Sequence, residues 1–308
     1  MQISLFDDHN RNRIDFQQCL SRFDLAGAEQ VLDKWQKKLN APSNLNQKRE
    51  ALSAFARFLK KERRQPQFAL AELWLNYGTT PFLQPLRGEF RHLFNGINQA
   101  LAGLLNNNDY DFLLPSLHPA QIFIQVEDYS KAQAVLEKYL NLGGEHSFIR
   151  QLLGAALWKA GNKKKALINY TMAFFNNPLQ LSERYLYPGE FNNKYLFLRE
   201  KSGDSEKAWL HLPFTLWQEG KTHVDPYAQR FESYLHDQIK NEQAGAHRSP
   251  SKKIIYFLHL LYLLEMRRLR YRSFRETEET KKWITEIKKL NPEWLNTYYG
   301  VLRTYHNF

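Results

Sequence analysis

SFIRQLLGAALWKAGNKKKALINYTMAFFNNPLQ occupies residues 147–180 and reads as two helices joined by a turn. Phe148, Leu152, Ala155 and Ala156 recur at helical spacing, because apolar residues three or four positions apart share one face of an α-helix. Gly161-Asn162 interrupts that face with turn chemistry. A second helix is predicted from Lys163 to Asn176, with Ala166, Tyr170 and Ala173 on one side. Asn177-Pro178 ends it, since proline has no N–H for the helical ladder.

The pattern recurs. Ala132 stands 34 positions before Ala166, inside Asp128-Tyr129-Ser130-Lys131-Ala132-Gln133-Ala134-Val135-Leu136, and Leu136 and Tyr139 hold the positions of Tyr170 and Ala173. The first helix of that copy, about Pro119 to Val126, is short, and Pro119 suits its first turn. Two units in register make Ser147–Gln180 resemble a tetratricopeptide repeat, a helix–turn–helix unit of 34 residues. Gly154 matches the small residue where the two helices cross, Gly161 the turn glycine, Ala166 the small residue of the second helix, and Tyr170, Ala173 and Pro178 the remainder of the motif. Arg150 departs from the family, which usually has tryptophan there.

Weaker copies flank the pair. Ala28, Leu32 and Trp35 repeat the second-helix pattern near the N-terminus, and Ser202-Gly203-Asp204 leads to Ala208 and Leu212 downstream. Ala208 follows Ala166 by 42 residues, so about eight extra residues are expected around Tyr187–Asn193. Lys281–Pro292 resembles another second helix, and Glu293–Tyr305 a final capping helix. Asn46–Arg64, Pro66–Tyr77 and Pro81–Leu105 read as less regular helices. Polar joints at 106–111 and 241–251 suggest segments 1–108, 109–240 and 241–308, or one continuous array. The expected fold is all-α, and the resemblance implies a right-handed superhelix of hairpins.

The chain has 308 residues, 43% apolar and 14% aromatic, enough to bury a core without a disulfide or metal staple. Its one cysteine, Cys19, excludes an intramolecular disulfide and fits a reducing, cytoplasmic setting. Met1–Asp8 has no basic-then-apolar leader pattern. Ile254–Met266 is the longest apolar run, interrupted by His259 and Glu265; it is short of the roughly 20 residues a bilayer needs and reads as a buried helix.

Searching for chemistry gives little. There is no metalloprotease His pair, no phosphate-binding glycine loop and no strand-borne dinucleotide motif. Ser182, His211 and Asp225 make a triad only on paper, because nothing puts Ser182 on a nucleophile turn. No catalytic residue, metal or cofactor is therefore predicted. The expectation is a module that binds a protein partner.

Two surfaces are candidates for that role. By the resemblance, first helices line a concave groove, which aims Phe148, Gln151, Ala155, Trp158 and Lys159 at a bound protein segment. The clamp by which some family members hold an acidic chaperone C-terminus needs lysine and asparagine where this chain has Gln151 and Ala155. The second surface is basic. The net charge is +11, and residues 250–308 hold twelve basic against six acidic side chains, net +6. Lys252, Lys253, Arg267, Arg268, Arg270, Arg272 and Arg275 form a patch for an acidic protein or, alternatively, a nucleic acid, with Tyr271 or Phe274 available to stack on a base. A solvated helix end is the competing explanation, cations there complementing the helix dipole. Self-assembly through the aromatic segment Trp294–Tyr299 is a third possibility.

Overall fold

The computed structural model describes residues 4–38, 42–61, 65–106, 109–243, 249–271 and 277–306. Among them are fifteen α-helices and no strand, and no helix long and apolar enough to cross a membrane. The chain divides into two compact units, residues 1–135 and 136–308.

Unit 1 contains α1 (Ser4–Ser21), α2 (Leu25–Gln36), α3 (Leu45–Lys61), α4 (Pro66–Asn76), α5 (Phe90–Leu104) and α6 (Pro119–Gln125). The helix expected over Pro81–Leu105 is split: Pro81–Glu89 winds as a tighter 3-10 stretch and α5 starts only at Phe90. Pro85 inside that stretch explains the break, because its missing N–H and its ring both oppose a continuing α-helix. Leu20 of α1 crosses α5 so closely that a Cβ at Gly96 would lie 2.0 Å from the Leu20 carbonyl oxygen. Phe16, Leu32, Leu52, Phe55, Leu93 and Ile97 fill the space between these helices. Within that core, Lys48 Nζ donates to Glu89 Oε1 at 2.8 Å, with only 10% and 7% of the two side chains exposed.

α7 (Tyr129–Gly143) begins in unit 1 and ends in unit 2. Unit 2 continues with α8 (Ser147–Lys159), α9 (Lys163–Asn176), α10 (Gly189–Ser202), α11 (Ser205–Gln218), α12 (Gln229–Gln243), α13 (Pro250–Tyr271), α14 (Glu278–Leu290) and α15 (Pro292–His306). The apolar run expected to be a buried helix is the middle of α13, where every side chain from Tyr256 to Met266 is buried. A helix apolar all round must be covered on all sides, and α9, α11, α12 and α14 pack against it.

Four hairpins share one turn. Phe23, Glu127, Gly161 and Gly203 adopt left-handed φ values of 59°, 63°, 87° and 65°. In the first three, the N–H of the following residue reaches back to Cys19 O, Phe123 O and Leu157 O, each at 2.9 Å, which satisfies carbonyls that a helix end leaves open. That following residue is Asp24, Asp128, Asn162 or Asp204, and its side chain caps the next helix by accepting from Gly27, Lys131, Lys165, or Glu206 and Lys207 N–H respectively. Four residues further on, the N–H groups of Ala28, Ala132, Ala166 and Ala208 donate to its carbonyl at 3.0 Å in every case. Each of these alanines is buried. Where α8 and α9 cross, a Cβ on Gly154 would sit 3.0 Å from the Tyr170 ring and 3.2 Å from Ala166 O.

Two predictions follow from buried polar groups. Lys48→Met leaves the Glu89 carboxyl buried in unit 1 without its cationic partner, and should lower stability by about 3–5 kcal/mol. The double change Lys48→Met with Glu89→Leu should restore most of that loss in urea unfolding; a double variant as weak as the single one would show that the pair's geometry, and not its charge, matters. The other group is His259 of α13, whose Nε2–H donates to Asn176 O at 2.7 Å. Burial pushes its imidazole down from 6.5 to about 4, against a smaller upward pull from that hydrogen bond. The folded state thus holds the ring neutral while the unfolded chain protonates it near 6.5. The resulting stability is complete above pH 6.5 and is lost as pH falls toward 4, to the extent of roughly 3 kcal/mol. His259→Gln should flatten the slope of unfolding free energy against pH in that window.

Candidate functional site

The five residues aimed at a groove do not share one exposed surface. Gln151 and Ala155 are fully buried, Phe148 and Trp158 are half-buried, and Lys159 alone is exposed. The cause is the chain's own segment 177–188, which follows α9 and folds over α8. Gln151 Nε2 donates to Ser182 O at 2.7 Å while Gln151 Oε1 accepts from Ser182 N–H at 2.9 Å. Phe148 meets the Tyr185 ring edge-on at 6.0 Å. The Tyr170 hydroxyl, raised by burial and so protonated, donates to Tyr185 O at 2.6 Å. The extra residues expected around Tyr187–Asn193 fall mainly just before it, in 177–188 between the end of α9 and the start of α10 at Gly189. They occupy the face of α8 that the repeat resemblance left open to a partner.

Arg150, the departure from the family pattern, makes a bidentate pair with Glu145 at 2.7 and 2.5 Å and also donates to Asn169 Oδ1 at 3.1 Å. A guanidinium fork fits a carboxylate in this way, so it ties α8 to the preceding loop and to α9, where a tryptophan would have packed.

The C-terminal arginines are likewise turned inward. Arg267 pairs with Glu279 at 2.5 Å, Arg268 with Glu265 at 2.8 Å, and Arg270 with Glu232 at 2.8 Å while also donating to Pro226 O. Glu279 and Glu232 lie on α14 and α12, so Arg267 and Arg270 fasten those helices to α13, while the Arg268 pair stays within α13. They form no open patch for phosphates, and they do more than line a solvated helix end. Lys252 and Lys253 are exposed at the other end of α13. Arg272 and Arg275, with Phe274, lie outside the described residues. Tyr271 is 51% exposed.

The unneutralised charge is elsewhere. Between Glu145 and Glu183 the chain has no Asp or Glu. Lys159, Lys163, Lys164 and Lys165 in this stretch are all exposed around the α8–α9 turn. Lys163 Nζ stands 3.7 Å from the centroid of the Trp158 ring, and Lys159 Nζ stands 4.6 Å from that of Tyr187. Such cation–π contacts hold long side chains in place at about 0.5–1 kcal/mol each when exposed. Among the described residues, none of the four lysines has a carboxylate within ion-pairing distance. Sequence reasoning named Lys159 but passed over the other three. Summing charge in large blocks hid them, whereas the acid-free interval was there to be seen.

The paper triad is not assembled: Ser182 meets Gln151 through its backbone, Asp225 Oδ1 accepts from Tyr227 N–H, and His211 is exposed on α11. The Cys19 thiol is half-buried and is raised by that burial and by Asp24 and Asp15, the direction opposite to activation. Among the described residues no group of three or more His, Cys, Asp and Glu side chains is arranged to hold a metal ion. The aromatic segment of α15 packs within unit 2: Tyr298 stacks on Trp217 at 5.4 Å and Trp294 on Phe257 at 4.5 Å.

If the arginines are structural, Arg270→Gln should lower stability by about 1–3 kcal/mol in urea unfolding. A variant as stable as wild type would show that the Glu232 pair is only a surface contact. A scan of protein-family models matches none to this chain, and searches of curated proteins and of solved structures find no match either.

Proposed function

We propose that this chain is a helical-repeat interaction module of the tetratricopeptide type, which works by holding a protein segment and not by catalysing a reaction. The single observation that carries this reading is the turn shared by four hairpins, each with a left-handed residue, an Asx cap and a buried alanine in the same order. Repeated hairpins bury one face against their neighbours and leave extended surfaces for partners. Within this reading the hairpins stack with a right-handed superhelical sense. A cytoplasmic setting accords with a chain carrying one cysteine.

In the α8 hairpin the partner surface is not the inner face, since segment 177–188 fills it. A nucleic-acid binder is the second reading, favoured by the lysines around the α8–α9 turn and no longer by the paired arginines of α13. The deciding experiment is affinity capture from native lysate, run with and without nuclease, with retained proteins and nucleic acids identified. A discrete protein that stays bound after nuclease is the expected result. Retention that disappears with nuclease, or copurified nucleic acid released at moderate salt, would reverse the order of the two readings.

A further inference from the structure

We propose that Lys159, Lys163, Lys164 and Lys165 form a docking ridge for an acidic protein segment, one rich in Asp and Glu side chains. This deepens the interaction-module reading and rests on it. Charge complementarity is the first argument. All four ammonium groups are exposed within a few residues of one turn, and no acidic residue occurs from 146 to 182. The arginines of α13, by contrast, are matched one by one with carboxylates, whereas these four lysines cluster around one turn inside an interval that holds no acid.

The ridge also runs against local stability. Lys163, Lys164 and Lys165 fill the first turn of α9, with no acidic residue beside them. That end of a helix carries partial positive charge, and cations there are disfavoured. The corresponding first turns of α2 and α11 hold Leu25-Ala26-Gly27 and Ser205-Glu206-Lys207, so the shared turn geometry does not demand lysine. A carboxylate-bearing partner would relieve the repulsion that the free protein retains.

The aromatic neighbours select among polyanions. The Trp158 and Tyr187 ring faces carry the ammonium groups of Lys163 and Lys159, whereas proteins that grip single-stranded nucleic acid offer ring faces to the bases. The rings here preorder cations, which suits carboxylates presented along an extended chain.

The test uses the full chain and a fluorescent Glu-Ser repeat peptide, compared with a labelled oligouridylate and with phosphatidylserine vesicles. Wild type should bind the peptide in a salt-sensitive manner. The variant K159Q/K163Q/K164Q/K165Q should lose about tenfold or more in affinity. K164Q/K165Q, which disturbs neither aromatic contact, should lose about threefold, and K252Q/K253Q should stay within about twofold. Circular dichroism should show the same helicity in each.

Equal peptide binding by the wild type and K164Q/K165Q would overturn the proposal. An equal loss in K252Q/K253Q would do the same, by showing that only net charge matters. Tighter binding of oligouridylate or of vesicles than of peptide would transfer the ridge to nucleic acid or membrane, and so would also overturn it. In the lysate experiment, a nuclease-resistant partner held equally by wild type and the quadruple variant would leave the module reading standing and remove this surface. The absence of any protein partner from wild type would instead undo the module reading itself.

Discussion

The close crossing of two helices after a left-handed turn is the constraint on which the architecture depends. Packed helix axes lie about 8–10 Å apart, and they come closest where the side chains between them are small. At the α8–α9 crossing Ala166 and Gly154 meet that need from opposite helices, and Ala28, Ala132 and Ala208 are buried at the equivalent place after their turns. The turn fixes where each second helix begins, the Asx cap fixes its first hydrogen bonds, and the alanine then lands at the crossing. A change in any of the three would move the other two.

Unit 2 adds a second level of organisation. Hairpin α8–α9 is joined to α13 and α12 through the end of α9, where Asn176 accepts from His259 with its carbonyl and from Tyr234 with its side chain. Buried polar groups are tolerable only when paired, and these pairings give the apolar helix α13 a fixed register against its neighbours. Segment 177–188 follows the same rule. Its irregular backbone lies against α8 because Gln151 supplies both an acceptor and a donor to Ser182, and because Tyr170 takes up the carbonyl of Tyr185.

What the sequence made legible was local. Helical period, Gly161, Asn162 and Pro178 lie within a few residues of the structure they specify, and the boundaries of α8 and α9 follow from them. The 3-10 stretch before α5 was missed although Pro85 announced it, because the apolar period continued across the proline. The buried state of Gln151 was not legible, since it depends on a segment about 30 residues away folding back. The arginine run misled for a related reason. A cluster of like charges reads as a surface patch in one dimension, but Glu232 and Glu279 reach it only through packing of α12 and α14 on α13. Lysine density around the α8–α9 turn needed no tertiary information, only attention to where acids are missing.

The shared turn has one further consequence, for how this chain has room to change. Two of its four left-handed positions are held by residues with a Cβ, Phe23 and Glu127, in a region that L-residues enter at a cost of about 1–2 kcal/mol. Phe23 is committed to its place, since its ring meets Phe55 edge-on at 5.7 Å. Glu127 shows no comparable attachment, and glycine stands at the equivalent position 34 residues later. A lineage under pressure for heat tolerance would find spare stability at position 127, reachable without touching the core or the lysine ridge.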